Sequence, residues 1–125
     1  MGATKMRFRS GLEKRTANYL RKLKVKFHYE KLKILWKDLR QKTYTPDFVL
    51  ENGIIIETKG RFISSDRTKH LMVKQQHPEL DIRFVFSNPN AKLYKGSKKS
   101  YGDWCEKNGF LYAKEIIPIK WIKEK

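Results

Sequence analysis

Asp47, set directly after Pro46, and the triplet Glu57-Thr58-Lys59 that begins ten residues later are the residues of this chain best spaced to do chemistry together. They meet only if the intervening chain turns back on itself. Residues 43–50 and 54–58 are rich in β-branched and aromatic side chains and are expected to be strands, with Glu51-Asn52-Gly53 as the hairpin turn. In a three-residue loop Gly53 takes the left-handed conformation, Leu50 pairs with Ile54, and Asp47 falls opposite Glu57. Opposed side chains have Cβ atoms roughly 5 Å apart, and Lys59 projects from the same face as Glu57. A two-residue Asn-Gly loop would slip the register by one and send the two carboxylates to opposite faces. A metal site here therefore predicts the three-residue loop.

Two facing carboxylates repel unless one is protonated or a cation lies between them. An oxygen-rich site of this kind suits Mg²⁺, with Mn²⁺ as a substitute. Such an ion polarises a phosphodiester, activates water and stabilises the departing oxygen. Lys59 would orient the attacking water or stabilise developing charge, and Glu13 would complete a second metal position. Each residue also has a plainer role. Glu13 fits as the capping-box partner of Ser10, Asp47 as a turn residue, and Glu57 with Lys59 as the solvated face of a strand. The run Ile54-Ile55-Ile56 argues instead for a strand buried on both faces, where an unpaired carboxylate is costly.

The flanking elements follow from periodicity and punctuation. Ser10-Gly11-Leu12-Glu13 has the form of a capping box, and Leu12, Thr16, Tyr19, Leu20 and Leu23 recur at helical spacing, so a helix is expected over 11–24. Residues 26–29 alternate as a half-buried strand does. Residues 31–42 fit a strand or a short helix. Ser64, Ser65 and Asp66 are N-cap candidates for a helix that runs to His77 and stops before Pro78. A strand over 82–87, a turn at Asn88-Pro89-Asn90 and a short helix over 101–107 follow, the last stopped by Asn108-Gly109. Residues 110–113 and 116–122 are apolar strand-like or packing segments. Strand 54–58, helix 66–77 and strand 82–87 make a right-handed crossover, so the chain is expected to be one α/β domain over 1–125 with a mixed sheet.

The 125 residues carry 29 Lys+Arg against 13 Asp+Glu, a net charge of +16, which calls for a polyanionic partner such as nucleic acid. No run of 18 apolar residues and no signal-peptide pattern appears, so a membrane partner is not expected and a cytoplasmic location is. Cys105 stands alone and fits as buried filler in a reducing compartment.

The Pro46-Asp47 and Glu57-Thr58-Lys59 pair resembles the PD-(D/E)xK nuclease superfamily. Longer blocks are similar to the phage endonuclease I family of Holliday-junction resolvases. They include Phe8-Arg9-Ser10-Gly11-Leu12-Glu13, Tyr44-Thr45-Pro46-Asp47-Phe48, Glu57-Thr58-Lys59-Gly60 and Gln76-His77-Pro78-Glu79-Leu80-Asp81-Ile82-Arg83. Lys92-Leu93-Tyr94-Lys95-Gly96-Ser97 and Ile117-Pro118 with Trp121 to Glu124 extend the likeness over nearly the whole chain. The resemblance implies a restriction-endonuclease-like core, a mixed β-sheet flanked by helices. It implies that Glu13, Asp47 and Glu57 are the metal-binding carboxylates, Lys59 the catalytic lysine and the Thr58 carbonyl a further ligand. It also implies an intertwined, domain-swapped homodimer that presents two active sites to opposite arms of a four-way junction. Residues 31–43 would then bridge the two halves, and hydrolysis would leave 5′-phosphate and 3′-hydroxyl ends.

Lys5, Arg7, Arg9, Lys14 and Arg15 near the first helix, and Arg61, Arg67, Lys69 and Lys74 around the second, are the candidate phosphate contacts. Ser10 is a further candidate, although its hydroxyl is wanted by the helix cap. His28, His70 and His77 show no ligand spacing, and His70 lies nearest the chemistry, on the helix after Lys59. Trp36, Trp104 and Trp121 fit packing better than base stacking. Two rival functions fit the same features. One is a nuclease of this fold with another target, such as a transposase cutting subunit or a mismatch-nicking enzyme. The other is a DNA-architectural protein without catalysis, for which two like charges on one face make little sense.

Overall fold

The computed structural model describes residues 8–38 and 40–125. Helix α1 (Gly11–Lys22) starts where Ser10 accepts the Glu13 amide at 3.0 Å and ends in basic residues, which favour a helix C-terminus. Strand β1 (Phe27–Tyr29) follows, then β2 (Ile34–Lys37) and β3 (Gln41–Tyr44), β4 (Phe48–Leu50) and β5 (Ile55–Lys59). Helix α2 (Ser64–Gln76), β6 (Ile82–Phe86), α3 (Tyr101–Asn108), β7 (Tyr112–Lys114) and the single turn α4 (Ile119–Ile122) complete the chain.

Five strands form the central sheet in the order β1-β4-β5-β6-β7. β4 runs antiparallel to both its neighbours, β1 and β5, whereas β5, β6 and β7 run parallel, so the sheet is mixed. The parallel β5-α2-β6 crossover forms as expected. Alternation along the two central strands divides the core in two. Ile55, Phe84 and Phe86 pack with Phe62, Val73 and Cys105 on the side of α2 and α3. Ile56 and Val85 pack with Ala17, Leu20 and Trp121 on the side of α1 and α4. Both central strands are thus buried on both faces.

Two local expectations are corrected, and two that the sequence left open are decided. Residues 43–50 are two strands, because the chain leaves β3 at Tyr44, bends through Thr45-Pro46-Asp47 and joins the central sheet at Phe48. Pro46 has no amide to give a ladder and marks the break. Residues 31–42 resolve as the β2-β3 hairpin, which packs on α2 through Gln76, whose carboxamide exchanges hydrogen bonds with the Lys37 backbone. Helix α2 begins at Ser64 with Ile63 at its N-cap, and none of Ser64, Ser65 or Asp66 caps it. Residues 116–122, strand-like or packing segments by sequence, contain the helical turn α4, which packs through the buried Trp121.

The three tryptophans and Cys105 are packing residues: Trp36 and Trp121 are buried, and Trp104 stacks on Phe110 at 5.4 Å. Burial pushes the Cys105 thiol up to about 12. Among the described residues no helix is long and apolar enough to cross a membrane.

Candidate active site

Glu51-Asn52-Gly53 forms the three-residue loop. The Gly53 amide donates to Leu50 O at 2.9 Å, the Leu50 amide to Ile54 O at 2.8 Å, and Gly53 has φ +89°. Phe48 pairs with Ile56 and Val49 with Ile55, so one step further along the register Asp47 lies against Glu57. The hairpin chemistry of three residues thereby decides which carboxylates share one end of the sheet.

The two acids do not meet head to head. Glu57 is buried on the α2 side, and its Oε2 accepts from the Tyr44 hydroxyl at 2.8 Å and from the Asp47 amide at 2.9 Å. The Asp47 carboxylate reaches across the strand end, where its Oδ2 accepts from the Thr58 amide and the Thr58 hydroxyl, each at 2.9 Å. The ladder between β4 and β5 stops here for a covalent reason: the next residue, Pro46, cannot donate, and the Asp47 side chain takes the Thr58 amide in its place. The Lys59 carbonyl accepts from the amide of Ser87, just past the end of β6, so strand alternation turns the Thr58 carbonyl to the other edge, toward Asp47.

Burial, and next the charge of Asp47, pushes the Glu57 carboxyl up to about 8, while Lys59, the Asp47 amide and the Tyr44 hydroxyl pull it down. Burial pushes Glu13 up to about 7, aided by Asp47 and Glu30 and opposed by Arg9. Protein groups alone therefore leave these acids under-neutralised. Lys59, partly buried, stands 3.6 Å from Asp66 in the first turn of α2, which fixes its ammonium beside the carboxylates. His70 is fully buried, with Nε2 3.9 Å from Glu57 Oε1 and its ring edge-on to Tyr44. Burial, then Lys69 and Lys59, holds the imidazole well below its usual range, so it stays neutral.

Glu13 closes the site from α1. Its amide takes the Ser10 cap, but its carboxylate does not return to the Ser10 amide. That reciprocal box is made instead by Ser100 and Asp103 at α3. The Glu13 carboxylate lies with Asp47 and with Glu30, at the end of β1. Carboxylates, a backbone carbonyl and a buried Glu13 Oε1 without a hydrogen-bond partner among the described residues make an all-oxygen donor set. That set fits a hard divalent cation such as Mg²⁺ or Mn²⁺.

The structure brings Asp47, Glu57 and Lys59 to one end of the sheet, the register their spacing predicts, and packing of α1 adds Glu13 beside Asp47. Arg9, Lys14, Arg15 and Arg61 are exposed near it, and Ser10 caps α1. Lys69 lies over the Tyr44 ring at 5.6 Å. Two candidate phosphate contacts have structural uses. Arg67 donates to Phe62 O at 2.6 Å, and Lys74 donates to Gly109 O at 2.9 Å while covering the Phe110 ring. Lys74 also belongs to the opposite end of the sheet, beside the start of β6. Lys5 and Arg7 lie outside the described residues. Sequence spacing does not single out Glu30, Tyr44 or Asp66, because each reaches the site from an element whose docking is not local.

The family model described as phage endonuclease I matches residues 1–125. Endonuclease I of Escherichia phage T7 is 53% identical over 118 residues, covering 94% of this chain and 79% of that protein. Endodeoxyribonuclease 1 of Enterobacteria phage T3 is 53% identical over 122 residues, covering 94% and 78%. With residues 1–125 matched by the family model and two relatives 53% identical over most of their length, the chain belongs to the phage endonuclease I family.

Proposed function

We propose that the protein is a metal-dependent endodeoxyribonuclease of PD-(D/E)xK type that cuts branched DNA and resolves four-way junctions as a homodimer. The observation that carries the reading is the interlock of Asp47 and Glu57. Both carboxylates are buried at one strand end beside Lys59, and among the described residues neither has a neutralising cation bonded to it. Asp47, Glu57 and the Thr58 carbonyl would hold one Mg²⁺, and Glu13 stands ready on the far side of Asp47. When bound, the ion supplies Lewis-acid stabilisation of the scissile phosphate and an activated water. Tyr44 and the Asp47 amide orient Glu57, and Asp66 holds Lys59 where its ammonium would meet charge on the phosphate.

DNA would be held by Arg9, Lys14, Arg15, Arg61 and Lys69 through phosphates, which position without reading sequence. Domain swapping exchanges identical contacts between protomers. The β2-β3 pairing seen within the chain would then recur between subunits, with residues 31–43 as the bridge.

The test is cleavage of a labelled immobile four-way junction and of its linear duplex arms, with Mg²⁺ and with EDTA. Paired nicks near the branch, only with metal and with linear duplex intact, are expected. Glu57→Gln should lose about a thousandfold in rate while binding the junction normally, since the several kcal/mol of metal stabilisation correspond to about three decades. Binding without any cut in Mg²⁺ or Mn²⁺ would leave a DNA-architectural protein. Equal cutting of linear duplex would leave a nuclease of the same fold with another target.

A further inference from the structure

Three carboxylates converge beside the site just described. Glu13, Glu30 and Asp47 each place an oxygen so that the three lie within 4.8 Å of one another. An independent observation marks the cluster as a place for a ligand. Glu13 is only 5% exposed, yet its Oε1 has no hydrogen-bond partner among the described residues, and the buried Oε1 of Glu30 has none either. Buried carboxylate oxygens ordinarily find donors. Here Arg9 stands 3.7 Å from Glu30 Oε1, beyond hydrogen-bond reach, with its own side chain 78% exposed.

The backbone aims Glu30 at this place. Its amide donates to the Asp47 carbonyl at 3.0 Å, which fixes the end of β1 to the bend before β4. Its φ is +50°, a conformation uncommon outside glycine. Tyr29, one residue earlier, accepts the Arg9 amide at 3.3 Å and so holds Arg9 over the cluster.

We propose that Glu30 is the third carboxylate ligand of a second divalent-cation position, formed with Glu13 and Asp47. Arg9 is the counter-cation that occupies the edge of this position until a metal displaces it. The inference rests on the nuclease reading, in which Asp47 also serves a first ion with Glu57. Oxygens around Mg²⁺ at about 2.1 Å stand about 3 Å apart along an octahedral edge. Binding therefore requires the three oxygens, now within 4.8 Å of one another, to close to that spacing. A compact divalent ion neutralises three converging carboxylates better than one exposed guanidinium. Release of Arg9 then presents a cation to a DNA phosphate beside the metal, which couples metal loading to DNA contact.

The test is Mn²⁺ titration of the full chain without DNA at pH 8, followed by calorimetry and by the paramagnetic resonance of free Mn²⁺. The wild type is expected to bind two ions per chain. Glu30→Gln, and equally Glu30→Asn, which tolerates the left-handed backbone, should weaken one of them at least tenfold and leave the other. Glu57→Gln should weaken the other one instead. Arg9→Gln should tighten the Glu30-dependent ion a few-fold in the wild type and do nothing in Glu30→Gln, a coupling that a double-mutant cycle isolates. Circular dichroism in EDTA checks that each variant is folded. Two ions of unchanged affinity in folded Glu30→Gln and Glu30→Asn overturn this inference alone. A wild type that binds no Mn²⁺ overturns the metal reading and this inference with it.

Discussion

Asp47 donates its backbone amide to the carboxylate of Glu57, the residue opposite it, at 2.9 Å, and its own carboxylate accepts the amide of Thr58 at the same distance. Side chains thus take over the hydrogen bonds of the ladder where Pro46 ends it. Two acids that would repel when both are ionised are held rigidly by dipoles, in a place where a cation would favour their ionised forms. Positioning groups of this kind matter because a site displaced by about 1 Å loses most of its rate.

Tyr44 is the first such group to test. Its hydroxyl gives Glu57 a 2.8 Å hydrogen bond from a buried ring. Tyr44→Phe should cost about 1 kcal/mol of stability. It should also lower junction cleavage by about 10–100-fold, the effect usual for a partner of a metal ligand. Binding measured in EDTA should not change. Full activity would show that Glu57 is oriented without it.

The pH dependence of stability has a definite sign. In the metal-free fold Glu57 holds its proton up to about 8 and Glu13 up to about 7, whereas unfolded carboxyls release theirs near 4.3. Folded chains then bind more protons than unfolded ones across this window, so stability falls as pH rises toward 8. His70, held neutral when folded, acts in the opposite sense below about 6.5, its ordinary value. Urea unfolding in EDTA should therefore show a decline between pH 7 and 8.5 that Glu57→Gln makes shallower. Saturating Mn²⁺ should reverse it, because metal ligation needs the carboxylates deprotonated. A flat profile in EDTA would contradict protonated acids at the site.

Gly53 sets the register. At φ +89° an alanine is strained by about 1–2 kcal/mol, so Gly53→Ala should lower the melting temperature by several degrees. Gly53→Asn should lower it less, since Asn adopts the left-handed region more readily. Equal stability of all three proteins would refute the loop conformation.

Arg83 joins the end of the chain to the sheet. It is 6% exposed, lies over the Trp121 ring and bonds both Asp81 and Glu124, whose side chains are 49% and 46% exposed. Charged hydrogen bonds are worth more than neutral ones, but half-exposed partners screen much of that. Arg83→Met should cost about 1–2 kcal/mol, read as a lower urea midpoint at unchanged slope. Cleavage well below the melting point should persist, because Arg83 pairs beside Ile56 and not at the Lys59 end of the sheet. A loss of activity in the stable fold would give Arg83 a role it lacks here.

Local rules determined much of this protein by sequence alone. Hairpin register is set by three adjacent residues and a period of two, so the Asp47 and Glu57 pairing, with Lys59 two residues on, followed from spacing. The buried run Ile54-Ile55-Ile56, the Ser10 cap and the β5-α2-β6 crossover followed from equally short-range patterns. Tertiary structure alone decided what comes from a distance. Glu13 chose Asp47 and Glu30 over its own helix cap, Tyr44 reached Glu57 from a different sheet, and the neutral ring of His70 came to lie against that acid. Arg67 and Lys74, indistinguishable in sequence from phosphate ligands, became ties to backbone carbonyls. Periodicity specifies which face a residue takes on its own element. Which face of another element it meets depends on packing between segments far apart in the chain, and no local pattern encodes that.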